Sequence, residues 1–209
     1  MLRVRGRRVV VVGCGTVAAR RVAALIHSGA EVTVIAPQLD PSLESLDGNA
    51  TVHRRAYQTG DLTGAFLVVA ATNDVVVNEA VCSDARSVGA LVNRADLPDE
   101  GDVVIPAHEH RGPITVAVTT GGVSARAAAV IRDHLLLHLD GDWERLLTRV
   151  EPYRQRVKDA TADAERRRKA LHMLTDPEAM RVLKEEGEGA LAARCESAVE
   201  WAGLDSERF

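Results

Sequence analysis

RRVVVVGCGTVAARRVAALIHSGAEVTVIAP, Arg7 to Pro37, is the stretch whose reading decides the fold. Arg8 to Val12 read as a buried strand, Gly13 to Ala18 spell G-x-G-x-x-A, and Arg20 to Ser28 read as a helix closed by Gly29. Glu31 to Ile35 begins a second strand. Strand, glycine turn, helix and strand in this order make a dinucleotide-binding unit. The first glycine permits the tight turn, the second lets phosphates approach the backbone, and Ala18 is small enough for helix and strand to pack. A pyrophosphate is expected on the helix N-terminus, where unpaired N–H groups and the helix dipole favour an anion. The competing reading is an ordinary tight connection from strand to helix.

Composition sets the frame around this unit. The chain has 209 residues, 46% of them apolar, enough for one large domain or a domain with an appendage. A net charge of -4 and an isoelectric point near 6.0 argue against general nucleic-acid binding. Two Trp, two Tyr and two Phe are too few for a base-stacking surface. The apolar run Val9 to Val12 is too short for a signal peptide or a membrane span, so no membrane partner is expected. Cys14, Cys82 and Cys195 lie far apart without C-x-x-C spacing, which suits reduced thiols in the cytoplasm and offers no cysteine-based zinc site.

Beyond Pro37 a Pro- and Gly-punctuated loop with one helical turn leads to a short strand, Thr51 to Arg55. Ala65 to Ala71 (AFLVVAA) reads as a strand buried on both faces. It ends in Thr72, Asn73 and Asp74, where a strand's carboxyl end faces a cofactor; Asn73 or Asp74 can also cap the helix from Val77 to Val88. Leu91 to Asn93 is the next strand, and the repeated crossovers give an α/β, Rossmann-like, doubly wound parallel sheet. The pattern then changes. Val103 to Ile105 and Ile114 to Thr119 alternate like strands around HEHRGP, and Ser124 is placed as N-cap of a helix to about Leu139. From Trp143 the chain is charge-rich and helical to Leu174, and Asp176 and Pro177 precede a last helical region between Glu178 and Ala202.

VVGCGTVAARRVAALIHSGAEVTVIAP, AATND with Val77 and Asn78, VNRADLP, IPA with RGPITVAVTTGGVSARAA, and the helical tail together resemble the siroheme-synthase type of precorrin-2 dehydrogenase. The resemblance covers most of the first 140 residues in order. It implies a nucleotide-binding domain over 1–112, a strand-and-helix dimerisation segment over 113–142 and a small α-helical carboxy-terminal domain over 143–209. It also implies a homodimer that uses NAD to oxidise precorrin-2 to sirohydrochlorin; some members in addition insert ferrous iron to give siroheme.

The resemblance places Gly13, Gly15, Thr16 and Val17 at the pyrophosphate and Pro37 and Gln38 near the adenosine ribose. The acid usual at the end of the second strand is missing: Ala36 and Pro37 stand there, Asp40 comes later, and no arginine follows the strand, which favours NAD over NADP. Removing two hydrogens sends a hydride to the nicotinamide and a proton to a base or to solvent. Asp96, in the N-x-x-D-x-P setting of Asn93, Asp96 and Pro98, is the candidate base; its other reading is an acid that shapes a turn. The implied substrate is a polycarboxylate, and Arg111, Ser124 and Arg126, with Arg94, His108 and His110, are local choices to hold it. Ser124 matches the serine of the family's GG-x-S-P motif, with Ala125 where proline is common, and is equally read as a plain helix cap. His108 and His110 would share one strand face, but with no third ligand nearby no metal site is assigned. The run from Glu165 to Lys169 reads as a solvated helix face. An alternative of another class is an NAD(H)-sensing regulatory protein without catalysis, which would share Gly13 to Ala18 but has no need of Asp96 or the VTTGG segment.

Overall fold

The computed structural model describes residues 1–39, 41 and 50–204; Asp40 and most of the loop read after Gln38 lie outside the described residues. The described chain forms two compact units, Met1–Ile105 and a second from Pro106 onward.

The first unit contains β1 (Arg8–Val12), α1 (Thr16–His27), β2 (Glu31–Ile35), β3 (Thr51–His53), β4 (Leu67–Ala70), α2 (Val75–Ser87), β5 (Leu91–Arg94) and a 3-10 turn, Pro98–Glu100. The five strands pair in parallel in the order β3-β2-β1-β4-β5. Alternation along β1 explains its unbroken valines. Val9 and Val11 pack with Ala18, Val22 and Leu25 of α1, while Val10 and Val12 pack with Val81, Cys82 and Ala85 of α2. A strand covered on both faces has no position for a polar side chain, so periodicity disappears and only an apolar run remains.

Two helices start earlier than their apolar periodicity suggests. α1 begins at Thr16 rather than Arg20, directly out of the glycine turn. α2 begins at Val75 because Asp74 caps it, its carboxylate accepting from the N–H groups of Val76 (2.9 Å) and Val77 (3.3 Å).

The second unit contains β6 (Ala107–Arg111), β7 (Ile114–Val118), α3 (Ala125–Leu137), α4 (Gly141–Ala160), α5 (Ala164–Met173), α6 (Pro177–Glu185) and α7 (Glu188–Gly203). β6 and β7 form an antiparallel hairpin closed by Gly112 and Pro113, with Gly112 at φ +53°. The expected strand Val103–Ile105 is therefore corrected: HEHR is itself the strand opposite β7. The reason is backbone pairing. The N–H groups of Asp102 and Val103 both donate to the Val92 carbonyl, at 2.8 and 2.9 Å, which fastens this segment beside β5. Both hairpin strands lie in the second unit, whereas the sequence reading divides them at residue 112. Asp163 divides the first helical tail region, and the second is divided at Gly187, which precedes α7 without a side-chain cap. Asp163 accepts from Glu165 and Arg166 to start α5, and Asp176, followed by Pro177, starts α6. Leu146, Val150, Leu174, Leu183, Leu191 and Cys195 build the core these helices share.

A polar tie crosses the core of the first unit. Asn93 is 2% exposed; its Oδ1 accepts from Arg21 of α1 and its Nδ2 donates to the Val103 carbonyl at 2.5 Å. Replacing Asn93 with Leu strands both partners and is expected to cost about 1–3 kcal/mol. The loss is read as a lower denaturant midpoint at unchanged slope; an unmoved midpoint would show that the tie contributes nothing.

Candidate cofactor and active site

Parallel pairing brings the carboxyl ends of β1, β2, β4 and β5 to one edge of the sheet, and with them Gly13 to Val17, Pro37, Thr72 to Asp74 and Asp96. The two glycines of the turn have different duties. Gly13 adopts φ +116°, its N–H donates to the Ile35 carbonyl at 2.9 Å, and a Cβ built on it would come within 2.2 Å of the Ala71 carbonyl oxygen. Gly15 is extended at φ −69°, ψ 175°, and a Cβ there would meet nothing within 4 Å. The space beside Gly15 is thus left by the protein. α1 starts there without a side-chain cap, and the N–H groups of its first turn point out from the exposed Thr16 and Val17. An uncapped helix start beside an open glycine fits a pyrophosphate.

Pro37 and Gln38 are exposed just past the buried Ala36, whose N–H donates to the His53 carbonyl at 3.1 Å. No arginine follows β2 along the chain, but the sheet supplies one from its neighbour: Arg54 succeeds His53, which is in register with Ile35. Only the pairing of β3 with β2 could have revealed this. The next residue, Arg55, is held on Asp61 by bonds of 2.7 and 2.8 Å.

At the end of β4, Thr72 is locked to Asn78 of α2. Its N–H and hydroxyl donate to Asn78 Oδ1 at 3.1 and 2.7 Å, and Asn78 Nδ2 returns a bond to the Thr72 carbonyl at 3.1 Å. Thr72 and Asp74 therefore shape the turn, and Asn73 keeps its side chain exposed. Val17, Val75, Val76 and Leu97, between 38% and 75% exposed, add an apolar rim to the same edge. Of these the sequence reading singled out only Val17; it missed Val75, Val76 and Leu97, because an apolar residue in a turn or at a helix start looks like any other core residue before the strand order is known.

Asp96 follows β5 with its side chain 25% exposed, and both its oxygens face the Arg94 guanidinium, at 3.2 and 3.4 Å. Partial burial pushes its carboxyl upward, but bonds from Arg94, Asn78 and its own backbone N–H, with the charge of Arg94, together outweigh burial and hold it below the usual carboxylate range. The group is ionised at neutral pH and available as a proton acceptor.

The remaining candidates belong to the second unit. Arg111 donates to the Leu139 carbonyl. Ser124 caps α3, its hydroxyl accepting from the Ala127 N–H at 3.1 Å, and Arg126 is exposed. The rings of His108 and His110 do share a face, 5.8 Å apart, with Nδ1 atoms 3.0 Å from the Pro106 carbonyl and the Thr115 hydroxyl. Among the described residues no group of three His, Cys, Asp or Glu is arranged to hold a metal ion. Lys169 pairs with Glu165 at 3.1 Å on an exposed face of α5, as a solvated charge run does.

The family model NAD_binding_7, for NAD(P)-binding, matches residues 1–107. The chain belongs to this NAD(P)-binding family. Within it, the chain is 37% identical over 201 residues to a siroheme synthase of Nitrosococcus oceani, covering 93% of this chain and 43% of that protein. It is 36% identical over 168 residues to a siroheme synthase of Pseudomonas putida, covering 79% and 36%. The chain thus spans less than half the length of these relatives. A solved structure named SirC, precorrin-2 dehydrogenase, superposes with a TM-score of 0.78 at 28% identity over 94% of this chain and 98% of that one. The resemblance drawn from the glycine turn, AATND, VNRADLP and VTTGG is therefore borne out, and with it a nicotinamide cofactor for this member of the NAD(P)-binding family.

The two glycines of this member give opposed expectations. Gly13→Ala forces a Cβ against the Ala71 carbonyl in a strained backbone, costing at least ~3 kcal/mol of stability. Gly15→Ala leaves the unfolding temperature nearly unchanged but weakens NADH binding about tenfold, ~1.4 kcal/mol. Thermal unfolding and NADH fluorescence titration check both; equal loss of stability in the two variants contradicts the assignment.

Proposed function

We propose that the protein oxidises precorrin-2 to sirohydrochlorin with NAD as oxidant, a step of siroheme biosynthesis. The observation that carries the reading is the presence, on one sheet edge, of an open phosphate cradle at Gly15 and an ionised carboxylate at Asp96. Bound NAD supplies the hydride acceptor. The chain's own part begins with the amides of Thr16 and Val17, which hold the pyrophosphate, and Pro37 and Gln38, which line the ribose. Asn73 meets the cofactor from the end of β4, in a turn that Thr72 and Asp74 shape. Asp96 takes the proton released as the hydride leaves, so both hydrogens of the substrate are accounted for. The apolar rim of Val17, Val75, Val76 and Leu97 suits a macrocycle. Of Arg111, Ser124 and Arg126, the residues read as candidates for substrate carboxylates, Arg126 is exposed, while Arg111 and Ser124 serve the Leu139 carbonyl and the Ala127 N–H.

NAD is favoured over NADP by the absence of an arginine after β2 along the chain, although Arg54 from β3 is the residue to watch in a comparison of the two. Three free cysteines, two of them buried, suit the reducing cytoplasm. We further propose a homodimer formed through residues 113–142, together with β6, and a helical domain over 143–209. α3 supports the dimer: Val130, Ile131, Leu135 and Leu137 are 44–81% exposed, beside Val123 at 86%.

The deciding assay mixes the purified protein anaerobically with precorrin-2 and NAD and follows NADH and sirohydrochlorin absorbance. NAD-dependent turnover is expected, and Asp96→Asn should lower it roughly 100- to 10,000-fold while NADH still binds. NADH binding without any turnover would leave a nucleotide sensor as the better reading. The same protein with sirohydrochlorin and ferrous iron decides the second activity that the resemblance implies: acceleration over the uncatalysed rate adds iron insertion, and its absence confines the protein to oxidation. Light scattering should give twice the 22.5 kDa chain mass, and Ile131→Asp should give the monomer; a monomeric wild type contradicts the dimer.

A further inference from the structure

Arg94 ends β5 with its residue only 3% exposed, and a buried guanidinium is tolerated only where carboxylates compensate it. Two do. The Nε and Nη2 groups meet Asp96 at 3.2 and 3.4 Å, and Nη1 donates to Glu100 Oε2 at 2.5 Å. The two acids differ in exposure, Asp96 at 25% and Glu100 at 56% of the side chain. The Glu100 backbone is itself pinned, its carbonyl accepting from Arg86 of α2 at 2.6 Å. From the same helix Asn78, fully buried, adds its amide to the hold on Asp96, and Cys82 lies within electrostatic reach. Burial keeps the Cys82 thiol above its ordinary range and therefore neutral, so it does not compete for the cation.

We propose that Arg94 is a positioning residue: its buried guanidinium fixes both oxygens of the Asp96 carboxylate, with Glu100 as a counterweight that shares the charge. The proposal rests on the reading of Asp96 as proton acceptor. A planar fork presents two donors to one carboxylate and thereby sets its direction, which a point charge cannot do. The 3-10 turn Pro98–Glu100 acquires a purpose, since it folds the chain back so that Glu100 reaches the far side of the same guanidinium.

The charge balance predicts movements of opposite sign. Arg94→Gln removes the cation, so Asp96 is protonated at higher pH and the acid limb of the kcat profile moves upward. Glu100→Gln, at an exposed side chain that spares the fold, leaves the whole cation to Asp96 and moves the limb downward. Arg94→Lys keeps the charge without the fork, so kcat falls on the order of 10–100-fold while the limb stays near its original pH. The same shifts must appear without substrate or cofactor, in the pH titration of the carboxyl 13C resonance that Asp96→Asn removes. Loss of kcat with neither the limb nor the 13C titration displaced in Arg94→Gln and Glu100→Gln overturns the positioning role, while an inactive Asp96→Asn still upholds Asp96. Full turnover by Asp96→Asn overturns the reading of Asp96 and the role of Arg94 with it.

Discussion

Gly13 is where three strand ends come too close for a side chain. Its N–H is bonded to Ile35 at the end of β2, and the place of its Cβ is filled by the Ala71 carbonyl just past β4. Parallel strands leave their carboxyl ends together, but how tightly the edge closes depends on this contact. Because the chain turns there in a backbone conformation reserved for glycine, it can leave β1 and enter α1 within three residues. The helix then starts uncapped at the edge, with open space at Gly15. A bulkier turn would carry the first N–H groups of α1 away from the edge where Thr72 to Asp74 and Asp96 stand.

The buried polar side chains of the described residues belong to the same edge. Asn78, Asn93 and Arg94 are the buried polar residues in an otherwise apolar interior. Asn78 fastens the Thr72 turn, Asn93 links Arg21 to Val103, and Arg94 joins Asp96 to Glu100. Polar groups in a core must be satisfied where they stand, so such contacts favour one arrangement over nearby alternatives. Apolar packing fixes the sheet, and these three residues fix the loops that leave it.

Much of this was legible from local sequence. The valine run of β1, the glycine turn, LVVA in β4 and the cap at Asp74 each report a local requirement, and the structure places them as read within a few residues. What escaped depends on partners distant in the chain. Val103–Ile105 looks like a strand until the Val92 carbonyl takes the N–H groups of Asp102 and Val103. Arg94 reads as a candidate to hold the carboxylates of a substrate until burial and the fold of the 3-10 turn give it two acids of the chain's own. Arg54 comes beside the end of β2 only through pairing of β3 with β2. For the candidate site, the resemblance marked Asp96 and the glycines, while the apolar rim and the supports of Asp96 needed the strand order.

On this reading the carboxyl edge of the sheet holds the nicotinamide dinucleotide. Amide chemical-shift mapping of the 15N-labelled protein during titration with NAD tests it most directly. The largest displacements are expected at Gly15, Thr16, Val17, Gln38 and Asn73, with the amides of α4 to α7 unmoved. Displacements concentrated in those helices, or none at the glycine turn at saturating NAD, would contradict it.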